Sequence, residues 1–109
     1  MKDAQSQFIQ GTLELLVLRT LIYGPAHGHA IAKHIQGLSE TLRIETGSLY
    51  PALHRLEAQG LVRPEWRLSD KGKRAKYYQL TPAGKRHLTA EHSRWDDFVR
   101  AMSRVLQPE

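Results

Sequence analysis

Cysteine is absent from the 109 residues. That excludes a disulfide scaffold, a zinc finger and a thiol nucleophile together. Long apolar runs are missing too. A membrane span needs roughly 18 consecutive apolar residues, and the most apolar stretch, Leu13 to Tyr23, is broken by Glu14, Arg19 and Thr20. Met1 to Gln7 is polar and lacks the apolar core of a secretion signal. These absences predict a cytoplasmic protein with no membrane partner. Length excludes the large catalytic scaffolds, since a (β/α)₈ barrel takes roughly 250 residues. One small domain with at most one appendage remains.

Catalytic patterns are also wanting. No glycine-rich phosphate loop occurs, and no Ser-His-Asp order in a plausible context. Asp96 and Asp97 are adjacent, so on a helix they point about 100° apart and form no carboxylate pair. The chain is read as a non-enzyme with no cofactor.

What the chain has is localised positive charge. The formal net charge is +5. Residues 1–62 hold five basic and five acidic groups, and residues 87–109 hold three and four. Residues 63–86 hold eight basic groups, Arg63, Arg67, Lys71, Lys73, Arg74, Lys76, Lys85 and Arg86, against Glu65 and Asp70. A concentrated cationic segment of this kind suits phosphate binding.

Periodicity then supplies the elements. Residues 8–23 read as a first helix, with Thr12 able to cap it. Leu13, Leu16, Val17 and Leu21 form one face, and Leu15, Leu18 and Ile22 a second. A helix apolar nearly all round has to be covered on both sides. Gly24-Pro25-Ala26-His27-Gly28 reads as a turn. A second helix is predicted over His29 to Gln36, stopped by Gly37. Residues 39–46 form a polar connection with Leu42 and Ile44 as anchors. A third helix starts near Thr46 or Ser48 and ends at Gln59, with Leu49, Leu53 and Leu56 buried, Pro51 in its first turn and Gly60 as its stop.

From Leu61 the period changes. Leu61 to Leu68 reads as a strand, with Pro64 marking an edge or a bulge. Ser69 to Lys73 is a loop, and Arg74 to Leu80 a second strand with Tyr78 and Leu80 on one face and Tyr77 on the other. Thr81 and Pro82 open a last helix as N-cap and N1. It runs to about Leu106. Leu88, Trp95 and Met102 repeat every seven residues, with Phe98, Val99, Val105 and Leu106 alongside. A heptad stripe on a projecting helix calls for a partner helix.

The fold class is therefore mainly α with a small β-hairpin: a winged helix-turn-helix over residues 1–80 and a long C-terminal dimerisation helix over residues 81–109. In that fold the third helix enters the major groove of DNA and the hairpin grips phosphate. Ser48, Pro51, His54 and Arg55, with Tyr50 at the edge, lie opposite the buried leucines. Arginine is the usual partner of guanine, yet Arg55 on an ordinary solvated helix face is an equal reading. Double-stranded DNA is the expected partner.

The segment Gly47-Ser48-Leu49-Tyr50-Pro51-Ala52-Leu53-His54-Arg55-Leu56-Glu57-Ala58-Gln59-Gly60-Leu61-Val62 resembles the central signature of the PadR family of bacterial transcriptional regulators. Lys76-Tyr77-Tyr78-Gln79-Leu80-Thr81-Pro82-Ala83-Gly84 resembles its wing-to-helix signature. Gly11 to Leu18 and Gly24 to Gly28 match its first helix and turn. The resemblance is to the short subgroup, in which one long helix replaces a separate dimerisation domain. It implies a homodimer that represses a nearby promoter and is often released by a small molecule. It places Ser48, Tyr50, Pro51, His54 and Arg55 on the recognition helix, and Lys71, Lys73, Arg74, Lys76 and Tyr77 on the wing. Dimer contacts then fall on Leu88, Trp95, Phe98, Val99, Met102 and Leu106. Trp95 is read first as a packing anchor, because aromatic residues are enriched at interfaces. The resemblance also allows it to stack a small aromatic or cationic effector.

Two other readings compete. A metal-responsive regulator would use His27, His29 and His34, but no acidic residue lies between Gly24 and Leu38 to complete a site, and no metal is expected. A winged-helix protein–protein adaptor would have no need for the cationic wing.

Overall fold

The computed structural model of the protein describes residues 4–38 and 46–108, with side chains over 11–38 and 47–108. The elements run α1 (Ala4–Thr20), a 3₁₀ turn (Leu21–Tyr23), β1 (Ala26–His27), α2 (Gly28–Leu38), α3 (Thr46–Ala58), β2 (Val62–Leu68), β3 (Arg74–Leu80) and α4 (Pro82–Leu106). Three helices, a hairpin and a long helix follow in the anticipated order. The structure is mainly helical with a small antiparallel sheet, the winged helix-turn-helix architecture with a long C-terminal helix.

Several local readings are corrected. Ala26 and His27 do not merely turn: they form β1, which pairs with β3 through Ala26–Tyr78 and His27–Tyr77. The sheet therefore has three strands in the order β1-β3-β2. The first helix begins at Ala4, so Thr12 lies inside it, and its last residues tighten into the 3₁₀ turn. Gly37 does not stop α2, which continues to Leu38; only Gly24, Gly60 and Gly72 take positive φ among the described residues. Pro51 is the sixth residue of α3 rather than part of its first turn, so the carbonyl of Gly47 goes without its usual helical donor. The connection anchors Leu42 and Ile44 fall outside the described residues.

One core organises the domain. Leu13, Val17, Leu18 and Leu21 come from the first helix and its 3₁₀ extension, Ile31 and Ile35 from α2, and Leu49, Ala52, Leu53 and Leu56 from α3. Val62, Tyr78 and Leu80 close it from the sheet, and Leu88 enters from α4. Leu18, assigned to the second face of the first helix, thus belongs to the core; Leu15 and Leu16 pack only partly against it. Ile22, by contrast, is 51% exposed.

The stop and start signals work as physical devices. At the end of α3, the amide of Leu61 donates to the Leu56 carbonyl at 2.9 Å and that of Gly60 to Glu57 at 3.0 Å. Gly60 has φ +73°. This is the Schellman arrangement, which requires a left-handed residue after the helix. At the start of α4, the Thr81 hydroxyl accepts from the Gly84 amide at 3.0 Å and donates to the Gly60 carbonyl at 2.8 Å. A Cβ on Gly84 would lie 2.1 Å from the Leu61 carbonyl oxygen, so only glycine lets α4 sit this close.

Beyond Leu88 most of α4 is exposed, although Glu91 and Trp95 stay partly covered and His92 and Asp96 face the first helix across a groove. The 25 residues of α4 reach about 37 Å at 1.5 Å per residue, and the molecule measures 57 × 30 × 28 Å. Among the described residues no helix is long and apolar enough to cross a membrane.

Candidate nucleic-acid interface

α3 buries Leu49, Ala52, Leu53 and Leu56 and turns Ser48, Pro51 and His54 to solvent. Tyr50 stands at the border, 40% exposed. Its ring lies across the start of α2: a Cβ on Gly28 would approach Tyr50 Cε1 to 2.8 Å. Gly28 thus lets the aromatic ring bridge the two helices of the helix-turn-helix.

Arg55 is committed elsewhere. Its Nε donates to Glu14 Oε1 at 2.6 Å, with both side chains partly buried. The contact ties α3 to α1 through Nε, and the Arg55 side chain remains 32% exposed. Ser48, Pro51 and His54 are left as the freely presented face.

The hairpin is regular. From Val62–Leu80 to Leu68–Arg74 the register never slips, so Pro64 marks an edge strand and not a bulge. Its tip is closed by the Ser69 amide on the Lys73 carbonyl at 2.7 Å and the Gly72 amide on the Ser69 carbonyl at 2.9 Å. Gly72, at φ +76°, takes the left-handed position that a three-residue hairpin loop needs. Lys71 and Lys73 flank it, both exposed, and neither pairs with a carboxylate among the described residues.

The remaining wing cations are held by neighbours. Arg67 stacks over Tyr77 at 4.3 Å and Arg74 over Trp66 at 4.9 Å. Lys76 reaches Glu57 of α3 at 3.2 Å and lies 5.4 Å from the Tyr78 ring. Burial works against the Lys76 charge, but the Glu57 carboxylate and the Tyr78 contact prevail, holding its pKa above the ordinary 10.5. Burial lifts Tyr78 above its ordinary 10.0, with Lys76 opposing. Both groups bind their protons more tightly in the folded state. Their contribution is therefore complete through neutral pH and is lost only as pH climbs through these raised values. The Lys76–Glu57 ion pair links the wing to α3.

The histidines take separate parts. His27 Nδ1 accepts from the Ala30 amide at 3.1 Å and so caps α2. Its ring meets Tyr77 edge-on at 5.3 Å and His29 at 6.3 Å. His34 instead adjoins Tyr23. Among the described residues no group of three or more His, Cys, Asp or Glu side chains is arranged to hold a metal.

The heptad stripe divides. Leu88 is 4% exposed and belongs to the core of the domain. Trp95 is half-buried, with Phe98 5.9 Å away. Phe98, Val99 and Met102 are each above 40% exposed, and Leu106 reaches 71%. The acidic groups near Trp95 pair along the helix itself, Glu91 with Arg94, Asp97 with Arg100 and Asp96 with His92. An open groove of about 500 Å³ runs between the first helix and α4, bounded by Arg19, Ile22, Leu88, His92 and Asp96; Trp95 does not line it.

Sequence reasoning did not find Glu14 and Glu57, the acidic partners of Arg55 and Lys76. The Glu14 pair spans 41 positions, and nothing local signals such a contact. Gly28 and the His27 cap were also missed as contributors. Their only trace was the glycine- and histidine-rich turn.

Residues 17–90 match the Transcriptional regulator PadR-like family. The chain is 32% identical over 94 residues to the transcriptional regulator Rv3488 of Mycobacterium tuberculosis, covering 86% of this chain and 85% of that protein. It is 49% identical over 95 residues to an uncharacterized 37.1 kDa protein in transposon TN4556 of Streptomyces fradiae, covering 86% of this chain but spanning only 25% of that relative. Among solved structures, a transcriptional regulator from Clostridium thermocellum is similar at a TM-score of 0.84 and 27% identity, with 94% of this chain and 100% of that one covered. A PadR family transcriptional regulator from Eggerthella lenta is similar at 0.79 and 34%, with 94% and 88% covered.

Proposed function

The chain belongs to the PadR-like family of transcriptional regulators, and from that premise we propose that it is a repressor acting as a homodimer on a palindromic operator. In this reading residues 1–80 bind double-stranded DNA and residues 81–109 form the dimerisation helix. The observation that carries it is the pairing of two surfaces: the exposed Ser48, Pro51 and His54 face of α3, and the wing with Lys71 and Lys73 at its tip. The Lys76–Glu57 clamp holds the two in fixed relation. Ser48 and His54 read base edges. Tyr50 and Pro51 shape the approach, while Arg55 acts mainly as the tether to α1. Arg74 and Lys76 extend the cationic surface behind the tip, and Tyr77 supports Arg67 from beneath.

Dimerisation is supported by apolar surface that one chain leaves uncovered: Phe98, Val99, Met102 and Leu106 on α4, and Ile22 beside the first helix. Two-fold symmetry then sets the recognition helices about 34–36 Å apart, one turn of DNA. A cytoplasmic location follows from work on chromosomal DNA. Release by a small aromatic effector is the finer part of the proposal and rests on Trp95 at the inner margin of the α4 stripe.

Binding to operator and random duplexes across a salt series tests the reading. Lys71→Ala or Lys73→Ala weakens binding to every sequence and lowers the salt slope by about one unit. His54→Ala costs about 1–3 kcal/mol on the operator and little on random DNA. Absence of duplex binding at low salt by the wild-type protein would refute it.

A further inference from the structure

The face of the wing that includes Trp66 is continuous with the core at its base and open at its tip. The register places Val62, Pro64, Trp66 and Leu68 of β2 on one side of the sheet, opposite Leu80, Tyr78, Lys76 and Arg74 of β3. At the base this face is interior: Val62, Tyr78 and Leu80 are each below 8% exposed. Toward the tip it stays apolar but emerges into solvent, with Trp66 56% and Leu68 70% exposed. Contiguous exposed apolar surface is a mark of interaction sites, whereas apolar residues scattered singly are ordinary.

The surroundings specify the partner. Arg74 lies over the Trp66 ring at 4.9 Å, and Lys76 on the same face is bridged to Glu57 of the recognition helix at 3.2 Å. Lys71 and Lys73 border it at the turn. The carboxylates of the hairpin are Glu65, which faces the other side beside Arg67, and Asp70 in the turn. Two copies of such a cationic surface repel each other, so self-association through it is disfavoured. Duplex DNA offers what the patch lacks on both counts: phosphate for the cations and the apolar faces of deoxyribose for the indole.

We propose that Trp66 and Leu68 form an apolar sugar-binding surface on the wing, which packs on deoxyribose along the duplex backbone beside the recognition helix while Arg74, held over the indole, meets phosphate. The inference rests on the DNA-binding reading and adds to it a source of affinity that does not depend on salt. A phosphate contact releases counterions and contributes to the salt slope; an apolar contact contributes to affinity alone.

The test measures affinity for a random-sequence DNA duplex over a salt series. Trp66→Ala weakens binding about tenfold, and most of that loss persists at high salt, where phosphate contacts are screened, in contrast to the salt-dependent loss of Lys71→Ala. Leu68→Ser, at a position too exposed to influence folding, gives the same signature at about threefold. In a Trp95→Phe background, duplex DNA shifts Trp66 emission to the blue and shields it from acrylamide. The proposal is overturned if Trp66→Ala and Leu68→Ser bind as the parent does, if Leu68→Ser lowers the slope as Lys71→Ala does, or if bound DNA leaves Trp66 emission untouched. A surface that instead docks a protein gives that same negative set while the parent still binds duplex. Failure of the parent itself to bind duplex at low salt sinks the functional reading and not merely this surface.

Discussion

The two ends of α4 are held in opposite ways. At the first turn, Thr81 caps the helix, Gly84 touches the Leu61 carbonyl and Leu88 is sealed in the core. From Phe98 onward, Phe98, Val99, Met102, Val105 and Leu106 are all exposed. The near end is specified by contacts within one chain. Among the described residues the far end leaves its apolar stripe exposed, and an isolated helix shorter than about 12–15 residues is marginal in water. The contrast separates the part of α4 that folds with the domain from the part that the proposed dimer would cover.

Gly84→Ala attacks the strong end and carries the largest expected effect. The added Cβ meets backbone at 2.1 Å and the Leu80 Cδ1 at 2.8 Å, so α4 has to lift off. A cost of about 3 kcal/mol is expected, which lowers Tm by about 10 °C or more in a domain of this size. Gly37→Ala is the matched control. It lies inside α2 with ordinary φ and nothing within 4 Å, and it should stabilise by about 0.5–1 kcal/mol. Thermal melts by circular dichroism distinguish the two, and equal Tm values would remove the close approach of α4 as a determinant.

Met102→Asp attacks the weak end. Within one chain, a side chain that is 43% exposed loses little on becoming charged. In the proposed dimer it places a charge within an apolar seam, at about 2 kcal/mol or more per interface. Sedimentation should therefore show dissociation while the sheet and α1–α3 remain folded. A variant that stays dimeric with an unchanged dissociation constant would move the interface away from this stripe. Thr81→Ala, back at the near end, removes two hydrogen bonds and is expected to cost about 1 kcal/mol, visible as a smaller drop in Tm than that of Gly84→Ala.

This division was only partly legible in the sequence. Thr81-Pro82, Gly60 and the alternation from Arg74 to Leu80 announced helix start, helix stop and strand, because capping and pleat are local properties. The heptad of Leu88, Trp95 and Met102 was equally plain, but spacing cannot tell whose core a stripe faces. Leu88 meets its own domain and Met102 does not. β1 was lost because two residues have no periodicity, and its existence depends on Tyr77 and Tyr78 some fifty positions on. At the interface the exposed residues of α3 were readable from its buried leucines. The diversion of Arg55 to Glu14 and of Lys76 to Glu57 was not, since ion pairs between distant elements leave no mark in either segment. Trp66 falls within the strand read from Leu61 to Leu68, but the continuity of its face with the core is visible only through the strand register.

The smallest effect expected is at the ion pairs of the far half of α4, and it decides what holds that half helical. Glu91 with Arg94 and Asp97 with Arg100 are paired one turn apart on an exposed surface. Such pairs contribute about 0.3–0.5 kcal/mol each and are screened by salt. If they were the main support, Arg94→Gln with Arg100→Gln would fray the helix, and salt would do the same to the unaltered protein. If the Phe98, Val99 and Met102 stripe is buried against a partner helix, apolar burial dominates and salt does not weaken it. The double variant should then lose at most about 1 kcal/mol, with helical content and dimer dissociation nearly constant as salt rises to about molar strength, where the Debye length falls to about 3 Å. A large salt-dependent loss of helix signal would place the support in the ion pairs. It would also erase the contrast between the two ends, because α4 would then be complete within one chain.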